Sequence, residues 1–262
     1  MAYKTLDFTV AENIATITLN RPDDANALDA KMADELLEVA IECSTREDVR
    51  AVILTGKGRM FCPGGDLKEF KAVGNKKEAH LIKMATIMHA AIVRFSNMEA
   101  PLIVAVNGTA GGGGFSLALS GDVILASNKA KFVSAYTASG LTPDGSSTFF
   151  LAKHIGLLRA KEMIFTNRVL SADEACNWGL VSRVVEPESL MTAAMELATA
   201  FATGPTKAYG QVKKLLNTAF NEPMEAQLEK EAQGISGMMK TRDAPHGLEA
   251  FLNKEKPKFE GR

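Results

Sequence analysis

Four consecutive glycines, Gly111 to Gly114, follow the apolar run of residues 101–106 and open a second apolar stretch at Phe115. Bare backbone at that density costs conformational entropy, so something must approach it closely. A second pair, Gly64 and Gly65, follows another apolar run, residues 50–56. N–H groups at a helix start lack partners, and two of them converging from two loops would hold one anionic oxygen. The polar side chains nearby then decide the reaction. Ser116, the first polar residue after the glycines, offers a hydroxyl and no acid. Asp144, in the stretch GLTPDGSS, has two readings: a cap for a helix starting near residue 146, or a proton carrier. His89 reads either as a histidine on a helix at a core edge or as a second proton-handling group.

Rival motifs fit worse. The sixth position from Gly111 is Ser116, so the dinucleotide fingerprint G-x-G-x-x-G fails, and neither glycine loop ends in the Lys-Ser/Thr of a phosphate loop. GFSLA (residues 114–118) approaches a nucleophile elbow but ends in Ala118, and its serine falls inside a helix and not on a turn.

The elements that must position these groups alternate. Residues 13–20, 50–56, 101–108, 121–127 and 179–185 read as strands, several of them continuous apolar runs of the kind buried on both faces. Residues 28–43 and 78–97 have helical spacing, the first with Asp29 as a candidate cap. Ser171 and Glu174 form a capping box, with Gly179 as the stop. From residue 188 the chain is almost wholly helical, and Pro205 and Pro223 divide it into three or four helices. The class is α/β, with a core over residues 1–187 and a helical C-terminal region over 188–262. Met60, Met84, Met88 and Met98 read as core filler.

The chain has 262 residues and a formal net charge of −1, with 30 basic and 31 acidic residues. That balance argues against nucleic acid and against an anionic membrane surface as partners. The longest apolar run falls far short of the roughly 20 residues of a membrane span. Three scattered cysteines without a CxxC pair suggest reduced thiols and no zinc site. The expectation is a soluble cytoplasmic protein.

LNRPDDANALD (19–29), FCPGGDLKEF (61–70), AVNGTAGGGGFSLALSGDVILAS (105–127) and KFVSAYTASGLTPDGSS (131–147) resemble the crotonase, or enoyl-CoA hydratase/isomerase, superfamily. The likeness continues through LSADEACNWGLVSRVV (170–185) and the ending FLNKEKPKFEGR. It implies a spiral of ββα turns with a helical C-terminal region that mediates trimerisation, as a homotrimer or a dimer of trimers. It implies an acyl-CoA thioester as substrate, with coenzyme A entering as part of that substrate, no separate cofactor and no metal.

By the same resemblance the N–H groups of Gly65 and Gly113 form an oxyanion hole. Gly64, Asp66, Leu67 and Gly112 surround the substrate. Asp24, Ala25 and Ala27 follow the pantetheine and adenine, and Lys68 and Lys254 lie near the CoA phosphates. Hydratases of the family carry glutamates at the positions of Ser116 and Tyr136, and both are missing here. Asp144 resembles the catalytic acid of phenylacetate-pathway isomerases and of some enoyl-CoA isomerases, which implies a double-bond shift. It also resembles the nucleophile of 4-chlorobenzoyl-CoA dehalogenases, in which a histidine at the His89 position is the base and a tryptophan at the Tyr136 position orients the aspartate. A dehalogenase or thioester hydrolase is thus a second reading. An atypical hydratase or a non-catalytic CoA-ester-binding homologue is a third.

Overall fold

The aliphatic runs of the first half become strands because both of their faces find apolar partners. In the computed structural model, which describes residues 3–262, β1 (Leu6–Ala11) and β2 (Ile14–Leu19) form an antiparallel pair. Helix α1 (Ala30–Thr45) then leads to β3 (Ala51–Gly56), which pairs parallel with β2. The Asp29 side chain accepts the Met32 N–H at 2.7 Å, so the cap expected at the start of α1 is present. After the short α2 (Leu67–Ala72) and the long α3 (Lys77–Asn97), β4 (Leu102–Val106) extends the parallel sheet. The glycine run spans β5 (Ala110–Gly111) and the first turn of α4 (Gly112–Leu119).

Next come β6 (Val123–Ser127), β7 (Lys131–Val133), α5 (Ser147–Ile155) and α6 (Leu157–Thr166). The short β8 (Leu170–Ser171) precedes α7 (Ala172–Trp178) and β9 (Arg183–Val185). The capping box of Ser171 and Glu174 is formed, and Gly179 ends α7 in the left-handed region at φ 86°. The C-terminal region supplies α8 (Leu190–Ala202), α9 (Thr206–Thr218), α10 (Met224–Met238) and α11 (Asp243–Leu252).

The main sheet has six strands in the order β1-β2-β3-β4-β6-β9, and a small one has three in the order β5-β7-β8. Every residue of β3 and β4 is buried. Val52, Leu54, Leu102 and Val104 face the large core under α1 and α3, while Ile53, Ile103 and Ala105 face the alanine-rich side of α8. That two-sided burial is why the strands read as continuous apolar runs. Each fully buried Leu or Ile contributes about 1.5–3 kcal/mol.

Lys213 ties the C-terminal helices to this core. Its Nζ lies 2.7 Å from Asp122 Oδ2 and donates to the carbonyls of Phe95 at 2.9 Å and Ala100 at 3.1 Å. Burial lowers the pKa of this lysine and raises that of Asp122, yet the close contact keeps the two as a mutual satisfaction of buried polar groups. Among the described residues no helix is long and apolar enough to cross a membrane.

Candidate active site

Residues 62–66 run between two other segments and are stitched to both. On one side the Leu28 N–H donates to the Gly64 carbonyl at 2.8 Å, and the Asp66 N–H donates to the Leu28 carbonyl at 2.8 Å. On the other, the Cys62 N–H donates to the Thr109 carbonyl at 3.1 Å, and the Gly111 N–H donates to the Cys62 carbonyl at 2.9 Å. This pattern leaves out the Gly65 N–H. The Gly113 N–H belongs to the first turn of α4, where helix donors have no internal partner. Among the described residues, neither of the two N–H groups donates to a backbone acceptor. Both glycines line one cavity of about 850 Å³.

Glycine is required where these segments touch. Gly64 has φ 116°, and a Cβ there would sit 3.2 Å from the Gly111 carbonyl oxygen and 3.3 Å from the Gly113 nitrogen. A Cβ on Gly114 would overlap the carbonyl of Cys62. The glycine run thus lets α4 start directly against the Cys62–Gly65 segment, and both donors belong to residues of the cavity wall. Burial pushes the Cys62 thiol up to about 12, so this cysteine is a neutral packing group.

Asp144 lines the same cavity, and its carboxylate does not cap α5. The residue at the start of that helix is Ser146, at φ 70°, with no side-chain cap. Only the backbone of Asp144 serves the helix: its carbonyl accepts from the Ser147 N–H at 3.1 Å and the Ser147 hydroxyl at 3.0 Å. The carboxylate instead accepts from the Tyr136 hydroxyl, 2.6 Å from Oδ1. Burial, reinforced by the charge of Asp144, raises the phenol's pKa well above its ordinary value, so the proton stays on tyrosine.

Ser116, fully buried, completes the network. Its Oγ is 2.8 Å from the Tyr136 oxygen and 2.8 Å from the Asp144 carbonyl. The two places where hydratase glutamates were looked for are therefore filled by hydroxyls of one hydrogen-bonded set.

His89 lies at the other side of Asp144 and does not line the cavity itself. Its Nε2 accepts the Gly145 N–H at 3.0 Å and stands 3.4 Å from Asp144 Oδ2. In this arrangement the Gly145 N–H is directed at the lone pair of Nε2.

The remaining expected residues divide. Asp24, Ala27, Gly64 and Asp66 line the cavity, as do Leu67, Lys68 and Gly112. Ala25, in the left-handed region at φ 57°, and Lys254, exposed just after α11, do not. Two groups carry weight that sequence reasoning missed. Arg21 donates to the Ala27 carbonyl and to Asp66 Oδ2 at 2.9 Å, and pairs with Asp24 at 3.2 Å and Asp29 at 3.2 Å. It fastens the loop of residues 22–29 to the residue beside Gly65. Asp66 also caps α2 through the N–H groups of Lys68 and Glu69. Burial by itself would raise the Asp66 carboxyl, but Arg21 and the two N–H groups outweigh it and hold it below the usual carboxylate range. Met84 and Met88 are the second omission. Expected as core filler, they line the cavity as well.

Two sheets and a C-terminal set of helices define a crotonase-type α/β protein. The family model described as enoyl-CoA hydratase/isomerase matches residues 9–262, and the chain belongs to that family, whose members act on acyl-CoA thioesters.

The chain is 36% identical over 262 residues to a probable enoyl-CoA hydratase of Rhodobacter capsulatus, covering 100% of both chains. It is 34% identical to the 1,2-epoxyphenylacetyl-CoA isomerase of Escherichia coli, covering 97% of each. To 4-chlorobenzoyl coenzyme A dehalogenase-2 of an Arthrobacter species it is 33% identical, over 93% of this chain and 89% of that one. Among solved structures, an enoyl-CoA hydratase/isomerase of Mycobacterium abscessus superposes with a TM-score of 0.92 at 35% identity, covering 98% of this chain and 100% of that one.

Proposed function

We propose that the protein is an enoyl-CoA isomerase that moves a double bond along the acyl group, with Asp144 carrying the proton. The observation behind this reading is the placement of Asp144. Its carboxylate is free of capping duty, oriented by Tyr136, and joined through its backbone to Ser116 on α4. Ser116 is three residues beyond Gly113, less than one helical turn of about 5 Å. A thioester whose oxygen meets the Gly65 and Gly113 N–H groups would present its α-carbon close to this carboxylate.

The chemistry needs no more. Asp144 removes a proton from the α-carbon of a 3-enoyl thioester, and the electron pair delocalises into an enolate whose oxygen the two donors stabilise. The electrons then return to the γ-carbon, which takes the proton back from Asp144 and leaves the conjugated 2-enoyl product. Losing either donor of such a pair would raise the barrier by about 3–4 kcal/mol. Water addition would require a second group to activate the water, and the hydroxyls of Ser116 and Tyr136 are not bases at neutral pH. Exposed apolar side chains on α9–α11 and the turn between α9 and α10, among them Leu216, Phe220, Leu228 and Phe251, support self-association as a homotrimer or a dimer of trimers.

The second reading, nucleophilic attack by Asp144 in a dehalogenase or hydrolase, draws on His89 standing 3.4 Å from the carboxylate. Its weakness is the Gly145 N–H, which occupies the nitrogen that would have to act as base. Incubation with a 3-enoyl-CoA, crotonyl-CoA and 4-chlorobenzoyl-CoA separates the readings. Conjugated product from the first supports isomerisation; chloride release from the third supports attack by Asp144; hydration of the second overturns the role given to Ser116 and Tyr136. CoA-ester binding without turnover of any of them leaves a non-catalytic homologue.

A further inference from the structure

One wall of the cavity is apolar over most of its length. Helix α3 contributes Leu81, Met84, Ala85 and Met88 to that wall, positions three, four and seven apart that share one helical face. Leu81 is 37% exposed, Met84 and Met88 are each 7% exposed, and Ala85 between those two is half-buried. Seven residues of helix rise about 10 Å. The stripe thus forms a groove leading from the surface to the neighbourhood of Asp144. Its outer end is lipped by Ile82, 67% exposed, and by Leu141 from the loop that carries Asp144. Large apolar side chains left exposed around a cavity mouth mark a surface that a ligand covers.

The groove offers a planar ring few aromatic partners. The aromatic side chains in the lining are Tyr136, whose hydroxyl is committed to Asp144, and Phe70, which packs edge-on against His80 with centroids 5.9 Å apart. An aryl group gains from stacked or edge-to-face aromatic partners along its length. Methionine, leucine and alanine instead adapt to a thin flexible chain.

We infer that the acyl group is an extended aliphatic chain of medium length, lying along the Leu81–Met88 face of α3, with Ala85 keeping the groove open midway. This rests on the acyl-CoA reading of the site but not on the isomerase chemistry, so saturated thioesters, which no double-bond shift can touch, are the proper probes. Titration calorimetry of the full-length protein with butanoyl-CoA, octanoyl-CoA and benzoyl-CoA reads the groove directly. Octanoyl-CoA is expected to bind at least about tenfold more tightly than either of the others, because each further buried methylene adds affinity. Ala85→Phe, which blocks the groove at a half-exposed site, is expected to lower octanoyl-CoA affinity by about tenfold and to shrink its advantage over butanoyl-CoA. Equal affinities across the series would overturn the inference, as would benzoyl-CoA binding most tightly or an octanoyl preference untouched by Ala85→Phe. Binding of none of the three overturns it together with the acyl-CoA reading. A clear octanoyl preference beside absent isomerisation leaves it standing and rejects the chemistry alone.

Discussion

The Tyr136 hydroxyl donates to Asp144 Oδ1 across 2.6 Å, from a phenol that burial and the aspartate's own charge keep protonated. The carboxylate therefore has one oxygen fixed by a side chain that cannot compete for its role. A hydrogen bond to a charged group is worth about 1.5–3 kcal/mol. Tyr136→Phe keeps the ring and removes the donor. Steady-state kinetics should show kcat lowered by about tenfold to a hundredfold with KM little changed. A rise in KM alone would make Tyr136 a binding residue and not an orienting one.

Asp144→Asn keeps the volume and the backbone contacts while removing the proton carrier. The 3-enoyl to 2-enoyl conversion should drop by about 10²–10⁴-fold. Acyl-CoA binding, measured by calorimetry, should persist. A variant that isomerises at the parental rate would exclude Asp144 as shuttle.

The contact between Gly114 and the Cys62 carbonyl leaves no room for a methyl group. Relief would require the start of α4 to move off the Cys62–Gly65 segment, and overpacking of this kind costs about 1–3 kcal/mol or more. Gly114→Ala should lower both the thermal midpoint and kcat. Unchanged stability with full activity would show that the two segments need not touch.

The Asp66 carboxyl, held below its ordinary value, makes a directional prediction about acid. A depressed native pKa contributes stability that is complete above the unfolded value and is lost as pH falls through the native one. Asp66→Asn leaves Arg21 without this partner and should destabilise the neutral protein by about 3 kcal/mol, the order seen when one member of a largely buried pair is removed. Thermal midpoints measured from neutral pH down through the carboxylate range should converge for parent and variant. A gap that stayed constant with pH would remove this ion pair from the account.

Much of this architecture can be read from residue patterns, and the exceptions have physical causes. β3 and β4 announce themselves because both faces are buried, and the α1 cap and the α7 capping box are local chemistry that needs no tertiary context. β5, β7 and β8 hold two or three residues each, too few to show a period. β1 does alternate, through Leu6, Phe8 and Val10, but follows directly into the clearer strand beside it. In the site, the glycine pairs were legible as free donors. The two readings of Asp144 were not separable, since a cap and a proton carrier both call for a carboxylate just before a helix. Only the positions of Ser146 and Tyr136 show that the carboxylate is not a cap. Arg21 gave no signal because its aspartates lie up to 45 residues away. Met84 and Met88 look the same whether a helix face meets a core or a cavity.

The split between backbone and side chains at this site bears on how such an enzyme changes over generations. On the proposed reading the substrate's oxygen would be met by peptide N–H groups, which no coding change can delete while the glycines and their neighbours persist. On that reading the proton would be carried by Asp144, with the Ser116 and Tyr136 hydroxyls holding that residue in place from α4 and from the loop ahead of α5. A lineage can therefore exchange one reaction for another through two or three substitutions, keeping throughout its grip on the thioester.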